Sequence, residues 1–284
     1  MSIESMDPER LASDGRSPRR VDPMLVTGLA IVLGILLIGL LAPVISPHDP
    51  IAQDLRNRLA SPSGEHLLGT DLLGRDVFSR LLHAARIDIP LAVVATVIPA
   101  VIGVLLGIAS GFFERWSDSL VMRSADVVQA FPVYIFLVAL VFLLGPGARS
   151  FIVASAFISW VGYARLVRAE VQRLKERDFI VAARAAGLGR LRVLRRHLLP
   201  NAMPQVWAYM ASDAVLALVA LASLSFLSLG VQPPTPEWGR MVADGVDRIR
   251  VEWWLSVAPG VLIVIVGIGF SLVAYGIERQ VQRT

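Results

Sequence analysis

Four histidines, His48, His66, His83 and His197, are the side chains best suited to metal ligation or proton transfer. None stands at an H-E-x-x-H or comparable ligand spacing, so no metal site is expected. Cysteine is absent, which excludes a disulfide framework, a thiol nucleophile and a thiolate metal centre. Serines occur on apolar segments, but no G-x-S-x-G presents one as a nucleophile, and no catalytic residue is expected. Lys175 is the only lysine, and no G-x-x-x-x-G-K-[ST] surrounds it. The chain therefore lacks a P-loop, and any ATP chemistry belongs to a partner. Asp126 and Asp213 are the carboxylates that fall inside apolar runs. Charge at membrane depth is costly, which makes each a functional candidate. Each also has a plainer reading, with Asp126 paired to Arg123 near a span end and Asp213 bonded to a partner subunit.

The elements that must carry these groups are membrane helices. Hydrophobic residues make up 55% of the 284 residues and mean hydropathy is +0.63. The apolar residues form continuous runs near the roughly 20 residues an α-helix needs to cross the bilayer. Backbone in lipid must satisfy its own hydrogen bonds, and runs without alternation select helices over a barrel. Six spans are read at 24–45, 89–112, 120–144, 151–166, 206–229 and 254–277. The first is too long, and lacks a small-residue cleavage site, to be a signal peptide. The leader at 1–22, with Arg10, Arg16, Arg19 and Arg20, is polar and expected to be disordered.

Orientation follows from charge. Between Arg165 and Arg196 lie nine arginines and Lys175, against Glu170, Glu176 and Asp178, which marks that loop as cytoplasmic. Both termini then face the cytoplasm, in agreement with the basic leader and with Arg279 and Arg283. The chain divides into a cytoplasmic tail at 1–23, a first transmembrane helix at 24–45 and an extracytoplasmic segment at 46–88. A core of five spans at 89–277, including the cytoplasmic loop 167–204, and a tail at 278–284 complete it. In the outer segment Thr70 or Asp71 is placed to cap a helix over 72–86. Leu73, Val77, Phe78 and Leu81 fall opposite Arg75, Asp76, Arg80 and His83. That pattern suits a helix lying in the membrane interface, or a connector packed on neighbouring spans.

Inside the spans, Gly103, Gly107 and Gly111 repeat every fourth residue and suit close helix packing. Pro99 and Pro132 are candidate kinks. Trp160, Tyr163, Trp207 and Tyr209 fit interfacial aromatics. The strongest signal is the stretch 173–201, RLKERDFIVAARAAGLGRLRVLRRHLLPN. It reads as a helix leaving the fourth span, a break at Gly187, a short basic helix and a stop at Pro200. Ala182, Ala183, Ala185 and Ala186 form a smooth surface, and Gly187 allows a left-handed turn.

Two alanines, Gly187 and then Leu199-Pro200 resemble the EAA loop of ABC importer permeases. His66-Leu67-Leu68-Gly69-Thr70-Asp71, Gly74-Arg75-Asp76 and Ser79-Arg80 resemble the outer segment of the dipeptide/oligopeptide/nickel branch. Arg196-His197 before Leu198-Leu199-Pro200-Asn201 resembles it too. So does Leu224-Ser225-Phe226-Leu227, leading to Leu229-Gly230-Val231-Gln232-Pro233-Pro234-Thr235-Pro236 and Trp238-Gly239. The chain departs from the pattern at Val181, where the motif glutamate is usual, and at Leu221, where an acidic residue is usual.

The resemblance implies an all-α, polytopic type I importer permease fold of about six spans with a cytoplasmic coupling-helix loop. It implies a non-catalytic subunit in the inner membrane of a prokaryote. The partners it implies are the lipid bilayer, a second homologous permease in a heterodimer, two ATPase subunits carrying ATP and Mg, and an extracytoplasmic substrate-binding protein. No cofactor on this chain and no nucleic acid is expected. The coupling helix would lie around 187–195. Its docking surface would draw on Ala182, Ala183, Gly187, Leu191, Leu194, Leu199 and Pro200. A two-state switch from 1:99 to 99:1 takes about 5.5 kcal/mol, which surface salt bridges of about 0–1 kcal/mol each cannot carry. Peptide is the expected substrate, with nickel, haem and glutathione-like compounds also served by the branch. A secondary transporter or channel is the alternative; uptake that survives collapse of the proton gradient and requires ATP separates the two.

Overall fold

The computed structural model describes residues 21–113 and 115–282; Arg10, Arg16, Arg19, Arg20 and Arg283, with the rest of the leader, lie outside the described residues. Among the described residues the regular elements are helices, with one isolated β-bridge between Thr70 and Asp76 in the loop at 46–76. In chain order the helices are α1 (Pro23–Ile45), α2 (Val77–Phe113), α3 (Trp116–Gln129), α4 (Val133–Leu144), α5 (Ala148–Lys175) and α6 (Asp178–Ala185). They continue as α7 (Arg190–Val193), α8 (Leu199–Phe226), α9 (Trp238–Gly245) and α10 (Trp254–Gln282). Among the described residues five helices are long and apolar enough to cross a membrane, with α7 and α8 counted as one over Arg190–Phe226, and six if the bent pair α3–α4 counts as one span.

Local chemistry sets the ends. Asp22 caps α1 by accepting from the Met24 N–H at 2.9 Å, and Pro23 occupies the first helical position, where its missing N–H costs nothing. Much of α1 is exposed, including Leu33, Leu37, Leu40 and Val44, as expected of a lipid-facing helix. Its contact with the bundle runs through glycine. A Cβ at Gly28 would lie 2.6 Å from the Gly269 carbonyl oxygen of α10, and one at Gly276 would lie 2.5 Å from the Leu25 nitrogen. The two backbones can touch only because these side chains are missing.

The segment expected to form an interfacial helix at 72–86 does not lie apart. The helix starts at Val77 and runs unbroken to Phe113, so residues 77–86 extend the second span. Asp76, not Thr70 or Asp71, caps it, its Oδ2 accepting from the Ser79 N–H at 2.7 Å. Arg75, Asp76 and Arg80, expected on a solvated face, are buried: Asp71 and the Pro50 carbonyl meet the two arginines, while Asp76 faces the imidazole of His66. Pro90 and Pro99 sit inside α2 without ending it. Its lower half packs on α5 through the glycine row. A Cβ at Gly103 would meet Tyr163 Cβ at 2.4 Å, and one at Gly107 would meet the Ala164 carbonyl oxygen at 2.6 Å.

The third span is not one helix. α3 and α4 are bent by 86° at residues 130–132. Pro132 explains the break, since it has no N–H to give and pushes Phe131 out of helical backbone. α5 runs well past the expected end of the fourth span, to Lys175. Pro200 does not stop a helix either. α7 passes through one π-turn, Leu194–Leu198, directly into α8, with the Leu199 N–H reaching the Leu194 carbonyl. The widened turn makes room for the proline ring, which then sits in the first turn of α8.

Trp238 is the keystone of the end opposite α6. It is wholly buried, its Nε1–H donates to the Leu81 carbonyl at 3.1 Å, and its N–H donates to Asp88 Oδ2 at 2.9 Å. Glu237 caps α9 by accepting from Gly239 and Arg240, each at 2.7 Å. Burial pushes its carboxyl above the usual range, opposed by these donors. α9 is thereby wedged against α2, α8 and α10.

Candidate functional site

Between α5 and α7 the chain stands out from the basic end of the bundle as the short helix α6. Its last turn closes by a paired motif, the Leu188 N–H donating to the Ala183 carbonyl at 3.2 Å and the Gly187 N–H to the Arg184 carbonyl at 2.9 Å. That closure needs a left-handed residue at Gly187, whose φ is +80°. A Cβ there meets nothing within 4 Å, so within this chain the glycine answers to backbone conformation alone.

One face of α6 is rooted and the other is free. Ile180 is wholly buried with Phe112, Val171, Leu174, Val193 and Leu198, which ties α6 to the ends of α2, α5 and α8. Ala182, Ala185, Ala186 and Gly187 are exposed, and so are Phe179 and Val181. Leu191 is exposed beside Arg192, Arg195 and Arg196, which line an open concavity. Lys175 donates to the Gly111 carbonyl at 3.2 Å, and Arg168 grips Asp118 through two bonds of 2.5 and 2.7 Å. These contacts brace the base from which α6 projects.

The geometry revises the sequence reading of this loop. The free-standing short helix is 178–185, upstream of Gly187, whereas 190–198 belongs to the long helix that continues as α8. Leu194 faces the interior and is buried, so it offers no docking surface. Leu199 is half-buried and Pro200 exposed at the start of α8. The sequence marks the break at Gly187 but not which piece stands free, because that depends on 190–198 packing into the bundle and running on into α8.

At the other end, Gly69, Thr70, Asp71, Gly74, Arg75 and Asp76 come together as one folded lobe. Gly74 has φ +72°, and a Cβ on it would lie 1.8 Å from the Asp54 carbonyl oxygen. Asp71 accepts from the Leu73 and Arg75 N–H groups at 2.8 and 3.0 Å and from Arg75 Nε at 2.7 Å. Arg80 reaches Asp71 at 3.5 Å and donates to the Pro50 carbonyl at 2.9 Å. Thr70 Oγ1 accepts from the Ala60 N–H at 2.8 Å and donates to the Asn57 carbonyl. The lobe also joins His48 and His66 to Asp76, a grouping invisible to a spacing search because the three come from separate loops and a helix cap. Pro233 and Pro234, joined by a cis peptide, form an exposed turn nearby in sequence to buried Trp238.

Within the bundle, Asp126 pairs with Arg165 at 2.7 Å rather than with Arg123, and both side chains are well exposed. Asp213 accepts from the Tyr163 hydroxyl at 2.8 Å. It lines a cavity of about 300 Å³ with Tyr134, Ser155 and Ser159 among apolar side chains of α2, α4, α5 and α8. Tyr163 and Tyr209 meet edge to face at 4.7 Å. Trp160 and Tyr163 are buried against α2 and are not interfacial anchors; small residues opposite them admit the rings.

A bundle of long apolar helices that holds out one short, smooth-faced helix on a glycine turn fits a membrane permease subunit. Residues 103–283 match the family described as the binding-protein-dependent transport system inner membrane component. Residues 20–62 match the N-terminal transmembrane domain of oligopeptide transport permease C. The di/tripeptide transport system permease protein DppC of Pseudomonas aeruginosa is 39% identical over 257 residues, covering 88% of this chain and 85% of that one. The oligopeptide transport system permease protein OppC of Bacillus subtilis is 35% identical over 259 residues, covering 91% and 85%. Among solved structures, the inward-facing MetNI methionine ABC transporter shares the fold, with a TM-score of 0.56 and 19% identity over 72% of this chain and 95% of that one.

The chain belongs to the binding-protein-dependent transport system inner membrane components. It is a multi-pass inner-membrane permease of an ABC transport system, which works with an ATPase and a substrate-binding protein and is not itself the catalyst.

Proposed function

We propose that this chain is one of two non-identical permeases in a peptide importer, and that α6 is its coupling helix, seated in a cleft of an ATPase subunit. The observation that carries this reading is the pairing of a rooted face at Ile180 with a free face at Ala182, Ala185, Ala186 and Gly187. Small side chains let a partner's backbone approach closely, and the apolar Val181 adds to that face in place of a carboxylate. The arginines around Leu191 fit acidic groups at the rim of such a cleft.

In the proposed orientation the basic end and both termini are cytoplasmic, and the lobe at 46–76 faces outward towards the binding protein. Two ATPase subunits carry the ATP and Mg. Their closure draws α6 with them, and the buried cluster at Ile180 passes the movement to α2, α5 and the α7–α8 helix. Because α7 runs into α8 without a loop, displacement passed from the Gly187 turn to Arg190 reaches Asp213 along one continuous helix. The cavity at Asp213 is then part of the pathway. The peptide substrate class is supported by the names of the relatives, and carboxylate, hydroxyls and apolar walls together suit a zwitterion with side chains.

The test is to isolate the complex gently from membranes, identify its subunits, and follow labelled dipeptide uptake into vesicles. An ATPase and a second permease should co-purify, and uptake should require ATP and persist after the proton gradient is collapsed. Isolation without a nucleotide hydrolase, or uptake abolished by proton-gradient collapse alone, would overturn the proposal.

A further inference from the structure

The lobe at 46–76 contains a cluster with the make-up of a transition-metal site. His66 Nδ1 lies 2.9 Å from Asp76 Oδ1, and His48 Nδ1 lies 3.7 Å from the same oxygen. The two imidazole rings face each other at 4.6 Å, tilted by 32°. One ligand atom from each of the three residues lies within 4.8 Å of the others. We propose that His48, His66 and Asp76 bind one divalent transition-metal ion of the zinc type.

Charge is the first reason. Asp76 is buried, yet among the described residues no arginine pairs with it: Arg75 and Arg80, its near neighbours in sequence, both turn to Asp71. A buried carboxylate facing two imidazoles is under-compensated, and a divalent cation supplies what the arginines do not. His48 Nδ1 is the second reason. It is shielded from solvent and no hydrogen-bond partner reaches it, although it points towards the carboxylate. A buried lone ring nitrogen of this kind is satisfied by a metal.

Geometry is the third. Ligands at ordinary zinc distances in a tetrahedron stand about 3.4 Å apart. The two nitrogen–oxygen separations, 2.9 and 3.7 Å, fall either side of that value, and all three ligand atoms lie within 4.8 Å of one another, so the side chains need only draw together around the ion. The supporting shell is already built. Asp76 Oδ2 is held by the Ser79 N–H at 2.7 Å, and the His48 N–H is held by Ser79 Oγ at 3.2 Å. Outer contacts of this sort orient ligands before the metal arrives. The side chain of His48 is 35% exposed, which leaves an entry path and room for a water as fourth ligand. Two nitrogens and one oxygen favour zinc-type ions over magnesium or calcium, which prefer all-oxygen sets. The ion would staple the end of α1, the loop at 63–69 and the cap of α2 to one another.

The test uses the whole complex, purified without a polyhistidine tag, stripped with chelator and titrated with Zn²⁺ while bound metal and melting temperature are measured. Wild type should take up one zinc per copy of this chain above the level of His48→Ala, whose affinity at this site should fall about tenfold or more. Zinc should raise the melting temperature of wild type and leave that of His48→Ala unmoved, while Mg²⁺ does neither. His66→Gln keeps a donor towards Asp76 but lacks the ligand nitrogen, and it serves if His48→Ala fails to assemble. Equal zinc content and equal melting response in wild type and the assembled variant would overturn the proposal, as would a wild type that binds no zinc.

Discussion

Replacing Gly187 by glutamate perturbs the turn that holds α6 away from the bundle. Two effects follow, and the structure separates them. The first is backbone strain: a φ of +80° is left-handed, which costs an ordinary residue about 1–2 kcal/mol. That weakens the closed turn about 5- to 30-fold without touching the core, because a Cβ at this point meets no atom of the chain within 4 Å. The second effect exists only if a partner covers the turn, when the new side chain blocks the seat. Gly187→Asn distinguishes the two, since asparagine tolerates left-handed backbone but still adds bulk. With α6 as the coupling helix, both variants insert and assemble at wild-type levels, both lose peptide uptake, and the ATPase runs uncoupled from transport. The assays are membrane content, uptake by vesicles and ATP hydrolysis by the purified complex. Wild-type uptake in Gly187→Glu would refute the coupling role outright. Loss in Gly187→Glu with full activity in Gly187→Asn would reduce the glycine to a turn residue.

Three further outcomes are expected. Gly107→Leu forces a side chain into the backbone of α5, where even a Cβ would lie 2.6 Å from the Ala164 carbonyl oxygen, and it should cost about 3 kcal/mol or more of folding stability, seen as loss of folded protein in the membrane. Leu194→Ala removes a buried side chain and should cost about 2–5 kcal/mol, whereas Leu191→Ala, on an exposed position, should stay within about 0.5 kcal/mol and lower uptake per ATP hydrolysed. Thermal unfolding of the two purified variants checks the contrast. Asp213→Asn keeps an acceptor for the Tyr163 hydroxyl, so assembly should be unchanged, while KM for peptide uptake rises about tenfold if the carboxylate meets a cationic group in transit, a loss of about 1.4 kcal/mol. An unchanged KM would remove Asp213 from the pathway.

The membrane class, the near count of spans and the family were legible in the amino-acid order because they rest on local properties. Continuous apolar runs, the glycine row of 103, 107 and 111, and Gly187 four residues after Ala183 each act within a few turns of backbone. The glycine row signals close packing and packs on α5, and Gly187 signals a turn and has the required φ. What lay beyond that reading depends on partners distant in the chain. Whether 72–86 forms a helix of its own or only its part from Val77 joins α2 turns on Arg75 and Arg80 finding Asp71 and the Pro50 carbonyl. Whether Leu194 faced a partner or the core turned on Val171, Leu174 and Leu198 filling the space beneath it. Asp126 found Arg165, 39 residues on, rather than Arg123 on its own helix. His48, His66 and Asp76 have no shared periodicity, and only the folding of two loops over the cap of α2 brings their ligand atoms within 4.8 Å. Local order selects helices, turns and the surfaces that enter lipid; which charges meet, and which side chains stay free for another protein, is decided when those helices pack.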